Sequence, residues 1–410
     1  MDLKDAKRFF SCIAGDTPLV SFKVILWDGG ELFFGNGPAS FAIRIKSPDV
    51  LDILFNADTS LAFGEAYMSG DIDIEGDLGE LLGLGYRMDI KSDMSFSNRA
   101  RMCWLGLKSK ARSIRQSRCD IQTHYDRGND FYRLWLDEGL SYSCALFSSP
   151  DDTLEEAQNR KIAYTLNKLR LRPGHRLLDI GCGWGGIAIN AAKAYSCKVV
   201  GLTISKQQYE LARKRVEEQG LSGQVDIRLQ DYREVPLAES RSFDRIVSVG
   251  MFEHVGKDNI PLFFKKASEL LRKGGLMLLH TIGRIVPKDM DAWIATYIFP
   301  GGYIPAAGEV MNAAQMYGFD FIDMEDLRQH YDLTLANWIR RFESNVQRIN
   351  DMMGERFVRM WRLYLNGSQM AFRHGDMHVF QFLYSHERRH DLPLTREWFY
   401  QKKHAMASVD

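Results

Sequence analysis

Cysteine is scarce in this chain. Six occur in 410 residues (Cys12, Cys103, Cys119, Cys144, Cys182 and Cys197), and no two stand in C-x-x-C spacing. Neither a thiolate zinc centre nor another metal is therefore expected, and the thiols read as reduced in a cytoplasmic setting. No run of about 18 apolar residues occurs, and no charged-then-apolar leader opens the sequence, so neither a membrane span nor a signal peptide is expected. Net charge is missing as well. The 53 Lys and Arg equal the 53 Asp and Glu, so no overall field points to a nucleic-acid partner.

The balance hides an asymmetry. Residues 1–98 hold 8 basic and 16 acidic side chains. Arg99, Arg101, Lys108, Lys110, Arg112, Arg115 and Arg118 follow with no acid before Asp120, interleaved with Met102, Trp104, Leu105 and Leu107. Such a segment suits an anionic membrane surface, where each basic residue contributes about 1 kcal/mol. It equally suits a linker helix paired with the acidic residues before it. A chain of 410 residues is too long for one compact core, so two domains are expected. The boundaries read as a small α/β domain over 1–98, a basic linker over 99–120 and a larger α/β domain over 121–410.

Within the first domain, Lys23 to Trp27 and Glu31 to Phe34 flank Asp28-Gly29-Gly30, which predicts a hairpin. Phe41 to Ile45 is a further strand, and Ser47-Pro48 starts a helix. In the larger domain Thr153 and Glu156 form a capping box that opens a helix. Strands are expected at 176–181, 198–203, 225–229, 244–249 and 276–282, with helical segments between them. That alternation predicts a parallel, doubly wound sheet. Arg272-Lys273-Gly274-Gly275 reads as a basic helix end with a glycine cap. Beyond 285 the pattern is helical and rich in aromatics.

Leu177-Leu178-Asp179-Ile180-Gly181-Cys182-Gly183-Trp184-Gly185-Gly186 describes a buried strand that turns sharply and lets a ligand approach the backbone. Glycines 181, 183 and 186 match the dinucleotide fingerprint, which expects an acid about 20 positions on. Lys198 to Thr203 supplies none, which weakens a nicotinamide reading. The alternative is the Asp-led glycine turn that opens S-adenosylmethionine-dependent methyltransferases.

Two later strand ends carry unusual polar residues: Glu253 after strand 244–249, and His280 inside strand 276–282. A histidine in an apolar strand costs stability unless hydrogen-bonded. Both would reach the same carboxyl edge as the glycine turn. His124 to Tyr132 and Leu140 to Phe147 mix aromatics with small polar residues, as a lid or a packed loop would. Cys144 has no suitably spaced base and reads as an inert buried thiol. Phe299 to Pro305 is a rigid aromatic loop able to wall an apolar pocket.

These segments resemble the cyclopropane-fatty-acyl-phospholipid synthase family, within the mycolic acid and cyclopropane synthases. The resemblance runs from about residue 120 to the C-terminus. It rests on HYDRGNDFY, YSCALF, LLDIGCGWGG, GLTISKQQ, QDYRE, VSVGMFEHVG, LLHTIG, FPGGYIP and HYDLTLANW. The layout of 1–98 fits the bacterial two-domain form. The implied architecture is α/β: a Rossmann-like class I methyltransferase domain with a smaller N-terminal lipid-binding-like domain.

The implied activity transfers the methyl of S-adenosylmethionine to the cis double bond of an unsaturated phospholipid acyl chain, with a bound bicarbonate ion as base. Cys144 and Ile282 are expected to offer that ion backbone contacts, and Glu253, His280 and Tyr331 their side chains. Phe299, Gly301 and Tyr303 would wall the substrate pocket. Tyr142, Ser143, Asp179, Gly181, Cys182, Gly183, Thr203 and Gln208 would hold the co-substrate, with Asp231 and Tyr232 near its adenine. Thr203 and Gln208 would otherwise read as an ordinary helix start. The implied partners are a membrane phospholipid and a second copy of the chain, with the protein reversibly attached to the inner face of the membrane. Relatives with the same core make methyl-branched chains or methylate small amines. The YSC segment and the late tyrosine favour the lipid enzymes. An inert domain that merely binds lipid is the reading from another class.

Overall fold

The computed structural model describes residues 20–56, 59–87 and 128–400, with residues 6, 10 and 11. The basic segment 99–118, His124 to Arg127, and Cys12, Cys103 and Cys119 lie outside the described residues. The chain divides into two compact units. One gathers the described residues of 1–109 with 289–300 and 331–377, and the other those of 110–288, 301–330 and 378–410. The division in space thus draws two late segments to the N-terminal residues, where the sequence suggested one continuous larger domain from 121.

The first unit is built on a four-stranded sheet of β1 (Phe22–Ile25), β2 (Glu31–Phe34), β3 (Phe41–Ile45) and β4 (Ile72–Gly76), in the order β2-β1-β3-β4. The expected hairpin is present, with Val24 opposite Leu32. Its turn is closed by Gly29 N–H donating to the Leu26 carbonyl at 3.0 Å, and Gly29 has a φ of +85° that suits glycine. Alternation along the strands sends Phe22, Val24, Phe41, Ile43 and Ile45 into a core shared with Val50, Leu51 and Leu54 of the helix that starts at Pro48. The Phe22 ring stacks on Phe34 at 5.0 Å and on Phe41 at 5.3 Å. The late segments lock into the same unit. Arg359 donates to the Ile72 carbonyl at 2.7 Å and stacks over the Tyr67 ring, and Gly64 leaves room for Trp293.

The second unit carries a seven-stranded sheet: β5 (Arg176–Ile180), β6 (Lys198–Thr203), β7 (Val225–Leu229), β8 (Phe243–Val249), β9 (Leu271–Gly283), β10 (Phe319–Asp326) and β11 (His378–His386). Its order is β10-β11-β9-β8-β5-β6-β7. The five expected strands are there and pair in parallel from β7 through β9. Two were missed. β11 enters antiparallel between β9 and β10, so the sheet is mixed rather than wholly parallel. Residues 272–275 also need correcting, because the preceding helix ends at Leu270 and β9 already begins at Leu271. Leu271 is extended at the helix end, and Gly274 takes a φ of +66° inside the strand, so its glycine serves a strand irregularity rather than a helix cap. Among the described residues no helix is long and apolar enough to cross a membrane.

Candidate active site

The order of the sheet reverses beside β5: the chain runs outward through β6 and β7 on one side and β8 and β9 on the other. Ligands bind at the carboxyl ends of strands at such a reversal. A cavity lies there, lined by the ends of β5, β6 and β8, by the turn 230–233 and by the loop 139–143. Tyr142, Ser143, Asp179, Gly181, Cys182, Gly183, Thr203, Gln208, Asp231 and Tyr232 all line it. All ten positions named from the resemblance for the co-substrate therefore meet in one place.

Much of this wall is backbone. Gly181 has a φ of +82°, and a Cβ there would lie 2.6 Å from the Met251 Cβ. Gly183 has a φ of +54° with open space where its Cβ would be, which leaves the main chain accessible. Ser205, rather than Thr203, caps the helix Lys206–Glu218. That frees the Thr203 hydroxyl to donate to Gln208 Oε1 at 2.8 Å. Asp231 caps the short turn Tyr232–Glu234 and is clasped by Arg233, with Nε and Nη2 at 2.8 and 2.7 Å from its two oxygens. Phe131, Tyr132 and Trp135 are fully buried. The Tyr132 ring packs against Tyr142 at 5.7 Å and Trp184 at 5.2 Å, so these aromatics form a packed wall rather than a lid.

Burial works against charge inside the cavity. Asp179 is 1% exposed and its Oδ2 has no hydrogen-bond partner. Burial pushes its pKa up to about 7, against the pull of Lys161. Lys161 is itself driven down to about 8 by burial, and it donates to Ser143 Oγ at 2.8 Å. The sequence reading missed Lys161, and it missed Gln158, whose amide donates to the Ser141 and Ser143 carbonyls at 3.3 and 2.8 Å. Their spacing alone gave no signal, since a polar stripe on a helix is ordinarily its solvated face. Gln158, Lys161, Thr165 and Lys168 recur at helical spacing on Leu154–Lys168 and all four are buried, a polar stripe where an apolar one is usual.

Glu253 and His280 lie in the same unit, at the end of β8 and within β9. The Ile282 N–H donates to Glu253 Oε1 at 2.6 Å, while Glu253 Oε2 is buried without a partner. Burial raises the Glu253 carboxyl to about 7, with the Ile282 bond opposing. His280 pairs across the sheet with Gln381 and is pushed down to about 3 by burial, helped by the charges of Lys161 and Lys168. It is therefore a neutral imidazole. The Cys144 thiol is buried and donates to the Ala145 carbonyl at 3.3 Å. Tyr303 is tied to this region, its N–H donating to the Glu253 carbonyl at 2.9 Å, and Gly301 precedes it with a φ of +62°. Tyr331 and Phe299 belong to the first unit, where Tyr331 packs on Phe372 and Phe299 meets Tyr364 edge-on.

A doubly wound sheet with an Asp-led glycine turn at its reversal is the architecture of a class I S-adenosylmethionine-dependent methyltransferase. Residues 112–382 match the model of the family described as mycolic acid cyclopropane synthetase, and the chain belongs to that family. Residues 14–98 match a domain of unknown function. A probable fatty acid methyltransferase of Pseudomonas putida is 38% identical over 389 residues, covering 92% of this chain and 95% of its own. The cyclopropane-fatty-acyl-phospholipid synthase of Escherichia coli K12 is 38% identical over 88% of this chain and 92% of its own. Among solved structures, a mycolic acid cyclopropane synthase complexed with SAH and CTAB is 36% identical. It superposes with a TM-score of 0.61, over 65% of this chain and 98% of that one.

Proposed function

We propose that this protein methylates the cis double bond of an unsaturated phospholipid acyl chain with S-adenosylmethionine and closes a cyclopropane ring, with bicarbonate as base. The observation that carries the reading is the cavity in which all ten expected co-substrate residues meet, in the unit that also holds the buried Glu253 and His280. An alkene needs no proton removed before it reacts. Its π electrons form the new carbon–carbon bond as the methyl leaves sulfur, and the sulfur keeps the electron pair of the broken bond. The positive charge left on the acyl chain is discharged when the new methyl loses a proton and the C–H electrons close the ring. That proton is strongly acidic, so a weak base suffices.

Bound bicarbonate would supply that base. The unpartnered Glu253 Oε2 supports a hydrogen-bonding group beside it, and neutral His280 has one ring N–H to donate. The Ile282 N–H is engaged by Glu253, so in this reading Ile282 acts by holding the carboxylate in place. Cys144 would give a backbone contact, as the resemblance implies. The aromatic face of Tyr303 would stabilise the cation by about 0.5–2 kcal/mol. Reversible attachment to the inner face of the membrane through the segment 99–118 belongs to the same proposal.

The test incubates the protein with vesicles of cis-unsaturated phospholipid and methyl-labelled S-adenosylmethionine. Label is expected in lipid that co-migrates with a cyclopropane standard, slowed in bicarbonate-depleted buffer and restored on re-addition. A methyl-branched product of equal mass would instead favour a plain fatty-acid methyltransferase. Label that never enters lipid would overturn the reading altogether.

A further inference from the structure

We propose that Gln381, itself fixed by Lys168, is a positioning residue that holds His280 in the tautomer with its proton on Nε2. The geometry leaves the amide one orientation. Lys168 is fully buried and forms an ion pair with Glu325 at 2.7 Å, and its ammonium also donates to Gln381 Oε1 at 2.9 Å. An ammonium can only donate, so the atom facing it must be the amide oxygen. The amide nitrogen then faces the other way, 3.1 Å from His280 Nδ1 and 3.4 Å from Thr165 Oγ1. An amide nitrogen only donates, so Nδ1 must accept. Burial keeps the imidazole neutral, which places its single proton on Nε2.

The amide cannot easily turn. Reversal would set its NH2 against the Lys168 ammonium, a repulsive contact in a buried site where unpaired polar groups are costly. Register reinforces the arrangement, because β11 and β9 pair antiparallel with Gln381 directly opposite His280. Lys168 is held in turn by the Tyr164 ring, 4.4 Å from its ammonium, and the Tyr164 hydroxyl donates to the same Glu325 oxygen at 2.7 Å. The chain Glu325, Lys168, Gln381, His280 thus carries a fixed polarity from the surface of the unit to the ring nitrogen that donates. This inference rests on the reading of His280 as a hydrogen-bond donor given above.

The test is histidine 15N NMR on the full chain with S-adenosylmethionine bound, with His280 assigned by the signal lost in His280→Asn. The wild type is expected to show protonated Nε2 and bare Nδ1. In Gln381→Glu a carboxylate replaces the donor, so Nδ1 should become protonated. Turnover should then fall tenfold or more, with S-adenosylmethionine affinity within about twofold, corresponding to under about 0.4 kcal/mol. If Gln381→Glu does not fold, Lys168→Met releases the amide oxygen and should give a mixture of tautomers. A bare Nε2 in the wild type, or an unchanged tautomer in the folded variants, would overturn the positioning role. Normal turnover by His280→Asn would instead sink the function assigned to His280 and leave the tautomer measurement to stand by itself.

Discussion

The cavity at the sheet reversal and the Glu253–His280 region sit in one unit but are built by different means. The cavity is walled largely by main chain, with positive-φ glycines at 181 and 183 and the carbonyl-held loop 141–143, although Asp179 and Lys161 add buried ionisable groups of their own. The other region is shaped by buried side chains with displaced pKa values, each braced by one neighbour: Ile282 N–H for Glu253 and Gln381 for His280. Backbone sites tolerate changes of side-chain chemistry but not of main-chain space. Side-chain sites behave the other way round.

The sharpest way to break this contrast is Glu253→Gln. Turnover is expected to fall by about 100- to 1000-fold, the scale of losing one transition-state contact in a dry site. Affinity for S-adenosylmethionine should stay within a few-fold, since an interaction made mainly in the transition state appears in turnover. Single-turnover kinetics with calorimetric binding checks both, and a parallel loss of affinity would merge the two regions into one. The converse is Gly181→Ala. A Cβ 2.6 Å from the Met251 Cβ at a φ of +82° must push the turn aside. Co-substrate affinity should drop at least tenfold and stability by about 1–3 kcal/mol, measured by titration and denaturant unfolding.

A third effect concerns pH. A carboxyl raised from 4.5 to about 7 holds its proton in the folded state after the unfolded chain has released it. Its contribution to stability is therefore full below about pH 4.5 and lost as pH rises through about 7. Glu253→Gln should gain on the wild type across that window, by on the order of 3 kcal/mol at most. His280 has the opposite sign: its folded pKa is depressed to about 3, so it costs stability as pH falls below about 6.5. Paired urea titrations of wild type, Glu253→Gln and His280→Asn at pH 4.5, 6 and 7.5 would separate the two.

Strands β5, β6 and β8 were legible because parallel strands buried on both faces read as apolar runs between helices, and the edge strand β7 because its buried and exposed residues alternate. β10 was not. Four of the eight residues from Phe319 to Asp326 are acidic and only Ile322 is β-branched, a composition poor in strand formers. β11 hides for a related reason, since Gln381 and Ser385 interrupt its apolar run although both are buried. At the site, the glycines and Asp179 announced themselves through spacing. Lys161 and Gln158 did not, because a lysine or glutamine on a helix is ordinarily solvated and only tertiary packing reveals otherwise.

The buried polar stripe on Leu154–Lys168 has a consequence for anyone who tries to harden this protein against heat. Paired charges buried in an interior are often replaceable by well-packed apolar residues with no loss of stability, or with a gain. Lys168 and Gln381 are fully enclosed, so a search for higher melting temperature would be drawn to them first. Such variants would come out more robust and less active, because the polarity that makes the helix costly to fold also orients the imidazole. Thermal selection without a turnover screen would therefore tend to erase the stripe.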